Sequence, residues 1–181
     1  YVELHGLNPY QPVVGSTDLR DNLWHHIAVT YNGSNVKIYV DGIMENSVSM
    51  TGYVNSNSNF TNDLKIGAAN HVSTENFKGN IKNVEIWNTA LTQQEIQQYM
   101  SCPPTGNEAG LVGYWNFEDN TDPNSAIDQS GNGNNGTIIG ATYNTNVPTQ
   151  SCALTNANGC DSTAILNLTI NNSVTTTDTT T

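Results

Sequence analysis

The residues from Trp24 to Gly42, WHHIAVTYNGSNVKIYVDG, constrain the fold more than any other stretch of this chain. They read as two alternating strands joined by an Asn32-Gly33 turn, with a second turn signal at Asp41-Gly42. In the second strand Val36, Ile38 and Val40 share one face, while Lys37, Tyr39 and Asp41 share the other. Side chains alternate across a strand with a period of two, so the pattern predicts one buried and one wet face, as in an antiparallel sheet. Asn-Gly supplies the positive φ angles that a tight hairpin demands.

The surroundings continue the theme. A strand is expected around Tyr1–Leu4, followed by a loop holding Pro9, Pro12 and Gly15. A third run covers Ile43–Met50, a short strand Leu64–Gly67, and a further strand Ile81–Trp87 with Val84 and Ile86 turned to the core. One helix stands out. Thr92-Gln93-Gln94-Glu95 is a capping box, in which the Thr92 hydroxyl accepts from the Glu95 amide and Glu95 reaches back. Leu91 and Ile96 occupy the positions of a hydrophobic staple, and the helix is predicted to end near Met100, ahead of Cys102-Pro103-Pro104.

Composition narrows the function. At 181 residues the chain can bury one good-sized core, or a core with a small appendage. Only 12% of residues are charged, and 16 Asp and Glu against five Lys and Arg leave a net charge of -11. Nucleic-acid binding needs clustered cations, and none are present. Anionic membranes are disfavoured for the same reason, and no run approaches the roughly 20 apolar residues that span a bilayer. The chain opens at Tyr1 without Met and reads as a fragment of something longer. Cys102, Cys152 and Cys160 all fall outside the predicted strands and favour disulfides in an exported protein over metal ligation. Three single pairings are open, and Cys102–Cys152 would tie together the two ends of one segment.

The Trp24–Gly42 segment, together with FKGNIKNVEIWNTALTQQEI, resembles the central hairpin and closing strand-helix of the laminin-G-like domains, which are concanavalin-A-like jelly rolls. The resemblance covers residues 24–100. GLVGYWNFED, DQSGNGNNGT and IIGATY then resemble the opening of such a domain, although they follow its closing helix. Either a second domain begins there, or the sandwich is circularly permuted and residues 107–150 supply its closing strands. Permutation is the favoured arrangement, because first and last strands are neighbours in a jelly roll. CALTNANGCDSTAILNLTI resembles the last strands of immunoglobulin-like repeats in large bacterial surface proteins, with Ala164, Leu166, Leu168 and Ile170 alternating. NNSVTTTDTTT reads as a linker.

Candidate chemistry is sparse. His25 and His26 are adjacent and so point to opposite faces of a strand, which argues for a structural role rather than a shared metal. The laminarinase-like enzymes of this fold carry an ExDxE strand, and a retaining pair needs carboxylates about 5 Å apart. The strand at 81–87 offers Glu85 alone, and Glu118-Asp119 are adjacent, so no catalytic residue is assigned. The Gly-rich run Asp128–Gly136 holds hard oxygen donors. By the resemblance it implies a structural calcium, with Asp128 supplying charge and Asn132 and Asn134 supplying carbonyl oxygens. The chain departs from its relatives at Lys82 and Asn83, where an acidic pair is common. Trp87 and Trp115 are expected to be structural, leaving Trp24 and exposed Tyr31, Tyr39 or Tyr53 as candidates for sugar stacking.

The expected fold is an all-β antiparallel jelly-roll sandwich with one short helix. Residues 1–150 form the sandwich, 151–170 immunoglobulin-like strands and 171–181 a linker. The expected function is non-catalytic recognition of glycan or matrix polymer at the cell surface, in contact with neighbouring domains of the same chain. A structural spacer and an accessory domain of a carbohydrate-active enzyme are the alternatives.

Overall fold

The computed structural model describes residues 1–54, 64–68, 76–118, 121–148, 152, 154–155 and 161–162. The chain divides into two compact units, Tyr1–Ser151 and Cys152–Thr181.

In the first unit the central feature is an antiparallel sheet of β2 (Ile27–Tyr31), β3 (Asn35–Val40) and β4 (Ile43–Ser49). The register Val29↔Ile38 and Tyr31↔Val36 places the apolar residues of both strands on one face. The two turns differ. At the first, only Gly33 takes a positive φ (89°), and Asn32 acts instead through its side chain, whose Oδ1 accepts from Ser34 N and Asn35 N. A positive φ confined to the first central residue is the type II′ pattern. At the second, Asp41 (φ 49°) and Gly42 (φ 74°) are both left-handed, as a type I′ turn requires.

The strict in/out expectation fails in both strands: in β2 Ile27 and Val29, on the predicted core face, are exposed, and in β3 it fails at one residue. Tyr39, on the predicted wet face, is only 3% exposed, so β3 is covered on both sides there. The core proper is Leu7, Val13, Val36, Ile38 and Met50, with Val2, Leu4, Tyr31 and Val48 packed on it. Its lid is a loop rather than a first strand. Tyr1–Leu4 contributes a single bridge, Val2↔Val13, and the strand forms later, as β1 (Leu7–Asn8) paired with β5 (Thr51–Gly52). The Asn8–Pro9 peptide is cis.

Leu64–Gly67 is not a strand, and only Ala68 bridges there, to Asn76. The expected strand at Ile81 starts late, as β6 (Val84–Trp87), because Asn83 sits at φ 52°, outside extended backbone. The helix α1 (Gln93–Ser101) has Thr92 as N-cap and a complete capping box. It buries Ile96. Gln97 Nε2 donates to Gly42 O at 3.0 Å, so the helix sits on the β3–β4 turn. A Cβ on Gly42 would come within 2.8 Å of Gln97 Cγ, a second reason for glycine there.

Strand β7 (Leu111–Trp115) pairs antiparallel with β6, with Val84 opposite Trp115 and Glu85 opposite Tyr114. Gly113 is needed because the Trp115 ring folds back over it, where a Cβ would overlap Cη2. A small pair follows, β8 (Ser125–Ala126) with β9 (Gly136–Thr137).

In the second unit β10 (Leu154–Thr155) pairs antiparallel with β11 (Asp161–Ser162). The predicted immunoglobulin-like run Ala164–Ile170 and the linker at 171–181 lie outside the described residues.

Candidate functional site

The Gly-rich run folds as a tight loop between β8 and β9, hydrogen-bonded to both N–H and C=O groups of β7. Asp128 is buried at its centre. Its Oδ1 accepts from Tyr114 N (3.0 Å) and Ser130 N (2.9 Å), and its Oδ2 accepts from Asn134 N (2.9 Å). Burial raises the Asp128 pKa, but hydrogen bonds from Ser130, Tyr114 and Asn134 outweigh it and hold the carboxyl at about 2. Asn132 and Asn134 do lie beside Asp128, yet each turns its amide nitrogen inward. Asn132 Nδ2 donates to Leu111 O and Val112 O, and Asn134 Nδ2 donates to Val112 O. Trp115 Nε1 completes the joint by donating to Asn134 O at 2.9 Å.

A divalent cation needs oxygens that point at a common centre and are free to bind it. Here the carboxylate is occupied by three backbone N–H groups, and both Asn side chains present donors to the backbone. As a calcium ligand set the three residues do not fit. They staple the loop to β7. Among the described residues no group of three His, Cys, Asp or Glu could hold a metal ion.

The histidine pair closes the open end of the β2–β3 hairpin. His25 Nδ1 lies 2.8 Å from Asp41 Oδ2, and His25 Nε2 lies 3.2 Å from Asp21. His26 N donates to the other Asp41 oxygen at 2.9 Å, and Asp41 N donates to His26 O. Hydrogen bonds to Asp41 and Asp21 raise the His25 pKa, while burial lowers that of His26.

Glu85 sits half-buried on β6. Its Oε2 accepts from Trp87 Nε1 at 3.2 Å, and Trp87 stacks on Tyr99 of α1 with ring centroids 4.8 Å apart. Burial pushes its pKa up to about 7, with the Trp87 hydrogen bond opposing and the Glu108 charge adding. Glu108 itself accepts from Thr105 N, Thr105 Oγ1 and Gly106 N. Glu118 pairs with Lys82 at 3.4 Å, while Asp119 lies outside the described residues.

The aromatic candidates separate clearly. Tyr39 is buried, and Tyr31 is half-buried with its hydroxyl donated to Gly52 O. Trp24 is partly exposed and Tyr53 is 90% exposed. Trp115 is buried and Trp87 half-buried. Among the exposed rings not singled out in the sequence is Tyr10, which stacks on His5 and donates its hydroxyl to Glu3 Oε2 at 2.9 Å. No pattern in the chain signals that grouping, because it is assembled by the path of a loop. Cys102, the C-cap of α1, and Cys152 are both disulfide-bonded, and Cys160 lies outside the described residues.

Comparison with known proteins places this architecture. A solved structure of a proposed carbohydrate-binding protein from Bacteroides ovatus superposes with a TM-score of 0.56 at 25% sequence identity, covering 68% of this chain and 36% of that one. The chain thus spans about a third of the length of that protein. An S-layer domain-containing protein from Clostridium thermocellum is 22% identical over 49% of this chain and 44% of its own, with a TM-score of 0.37, too low to bear on the fold. No protein of curated function matches the chain. A laminin-G-type family model, described as the concanavalin A-like lectin/glucanases superfamily, matches residues 2–97. With just over half of its residues so matched, an antiparallel all-β fold and one helix among the described residues, the chain belongs to the laminin-G-like jelly rolls of that superfamily.

Proposed function

We propose that this chain is a non-catalytic module that binds carbohydrate within an exported multidomain protein, serving recognition of or adhesion to a glycan or matrix polymer. The observation that carries this reading is the likeness to the Bacteroides ovatus protein, whose proposed role is carbohydrate binding. The superfamily also contains glucanases, so the disposition of carboxylates matters. A retaining glycosidase needs two carboxylates about 5 Å apart, facing a substrate. In this chain Asp128, Glu45, Glu95 and Glu108 are each engaged by backbone N–H groups in a turn or cap. Glu85 has the raised pKa of a general acid, but it lies against Trp87. Disulfide bonding of Cys102 and Cys152 suits an oxidising compartment, and the net charge of -11 disfavours nucleic acid.

The test is a glycan array and affinity electrophoresis in polysaccharide gels, run with calcium and with chelator. Binding to one glycan class under both conditions is the expected result. Binding abolished by chelator would restore a metal to the mechanism. No retention under either condition would leave a structural spacer between neighbouring domains. Release of reducing sugar would overturn the non-catalytic reading.

A further inference from the structure

Aromatic side chains flank the β1–β5 ribbon: His5 and Tyr10 on either side of β1 in the chain, and Tyr53 directly after β5. Tyr10 is 53% exposed, yet it is held on one ring face and at its hydroxyl. His5 stacks on it with centroids 5.2 Å apart and planes 26° from parallel, and its hydroxyl donates to Glu3 Oε2. Leu7 pairs with Gly52, so the next register position brings Tyr53, the residue after β5, opposite Gly6, one residue along the chain from His5. The two backbones are close there: a Cβ on Gly52 would lie 2.7 Å from Gly6 O. Tyr53 has almost its whole surface in water.

We propose that Tyr10, backed by His5 and tied by Glu3, forms with Tyr53 the docking shelf for a neutral pyranose glycan. This rests on the carbohydrate-binding reading and gives it a place. The apolar C–H face of a pyranose packs on an aromatic ring, and Tyr adds a polar edge for the sugar hydroxyls. With one ring face against His5, the open face of Tyr10 is the opposite one. A ring held before the ligand arrives loses little conformational entropy on binding, which is what separates this residue from a freely rotating surface tyrosine. Glu3 uses one oxygen on Tyr10, and a carboxylate retains further acceptor sites for a sugar hydroxyl. That carboxylate, on a chain of net charge -11, selects against acidic polysaccharides.

Affinity electrophoresis of the whole chain in gels of mixed-linkage glucan, xylan, mannan and polygalacturonate tests the proposal. Tyr10→Ala is expected to weaken retention roughly tenfold or more, as loss of an aromatic anchor does, and Tyr53→Ala several-fold. Tyr10→Phe, which keeps the ring but cuts the tie to Glu3, should fall between Tyr10→Ala and wild type. Phe77→Ala removes a ring that is also exposed but lies elsewhere, and should change nothing. All three positions are at the surface, and circular dichroism confirms that each of the four variants is folded. If wild type is retained by a neutral polysaccharide and Tyr10→Ala equally so, the shelf is wrong while the carbohydrate reading stands. Retention by polygalacturonate alone also overturns the shelf, and retention by nothing overturns both.

Discussion

Asp128 and Glu85 both lie against β7, the first through the Tyr114 N–H and the second as the cross-strand neighbour of Tyr114. Burial raises the pKa of each, yet one ends at about 2 and the other at about 7. What differs is the supply of donors. Asp128 receives three backbone N–H groups, whereas Glu85 receives, among the described residues, one indole N–H and the repulsion of Glu108. A carboxylate withdrawn from water loses hydration it must recover from the protein. The protein replaces it at Asp128 and leaves it largely unreplaced at Glu85.

The two residues therefore act on stability in opposite directions. The folded pKa of Asp128 lies below the unfolded value near 3.9, so its contribution is complete above that pH and is lost as the pH falls toward 2. The folded pKa of Glu85 lies above its unfolded value, so the folded state holds the proton more tightly. Its contribution is present below about pH 4 and is lost as the pH rises to about 7.

Removing Asp128 should produce the largest effect. Asp128→Ala strands three N–H groups at the centre of the loop and is expected to cost about 3 kcal/mol at pH 7. Urea denaturation measures this, and the gap to wild type should narrow as the pH is lowered from 5 toward 2. A variant as stable as wild type at pH 7 would mean that the loop does not depend on its carboxylate, and the contrast with Glu85 would collapse.

Glu85→Gln should do the reverse. A neutral amide of the same shape still accepts from Trp87 and avoids the buried charge, so a gain of about 1 to 2 kcal/mol is expected at pH 8. At pH 4, where the native carboxyl is already protonated, the gain should vanish. A loss of stability at pH 8 would show that the Glu85 charge has compensation elsewhere.

This contrast also explains what was legible in the sequence. Strong local rules survived: the Asp41-Gly42 turn and the Thr92–Glu95 capping box form as read, because each is decided by a few adjacent residues. Asp128, Asn132 and Asn134 do come together, but the residue types that ligate calcium are also those that cap turns. Only the direction of their amides separates the two roles, and direction is not written in the letters. Tyr39 was misplaced because alternation reports which face a residue occupies, not whether a second layer covers that face. The Tyr10–His5 stack was illegible for another reason. It depends on where a proline-bearing loop returns, and no periodicity encodes that.

The same donor-counting logic extends to the surface, where it should matter least. Thr92 and Glu95 satisfy each other's backbone at the start of α1: Thr92 N donates to Glu95 Oε2 at 2.7 Å, and Glu95 N donates to Thr92 Oγ1 at 3.3 Å. Those hydrogen bonds lower the Glu95 pKa, as they do for Asp128, but both residues are exposed. Water can take over any donor that the cap releases. Thr92→Ala is accordingly expected to cost about 1 kcal/mol, less than Asp128→Ala. Paired urea titrations of the two variants decide the matter. If Thr92→Ala proved the more costly, the solvent would not be substituting for the cap, and burial would not be what makes the donors around Asp128 indispensable.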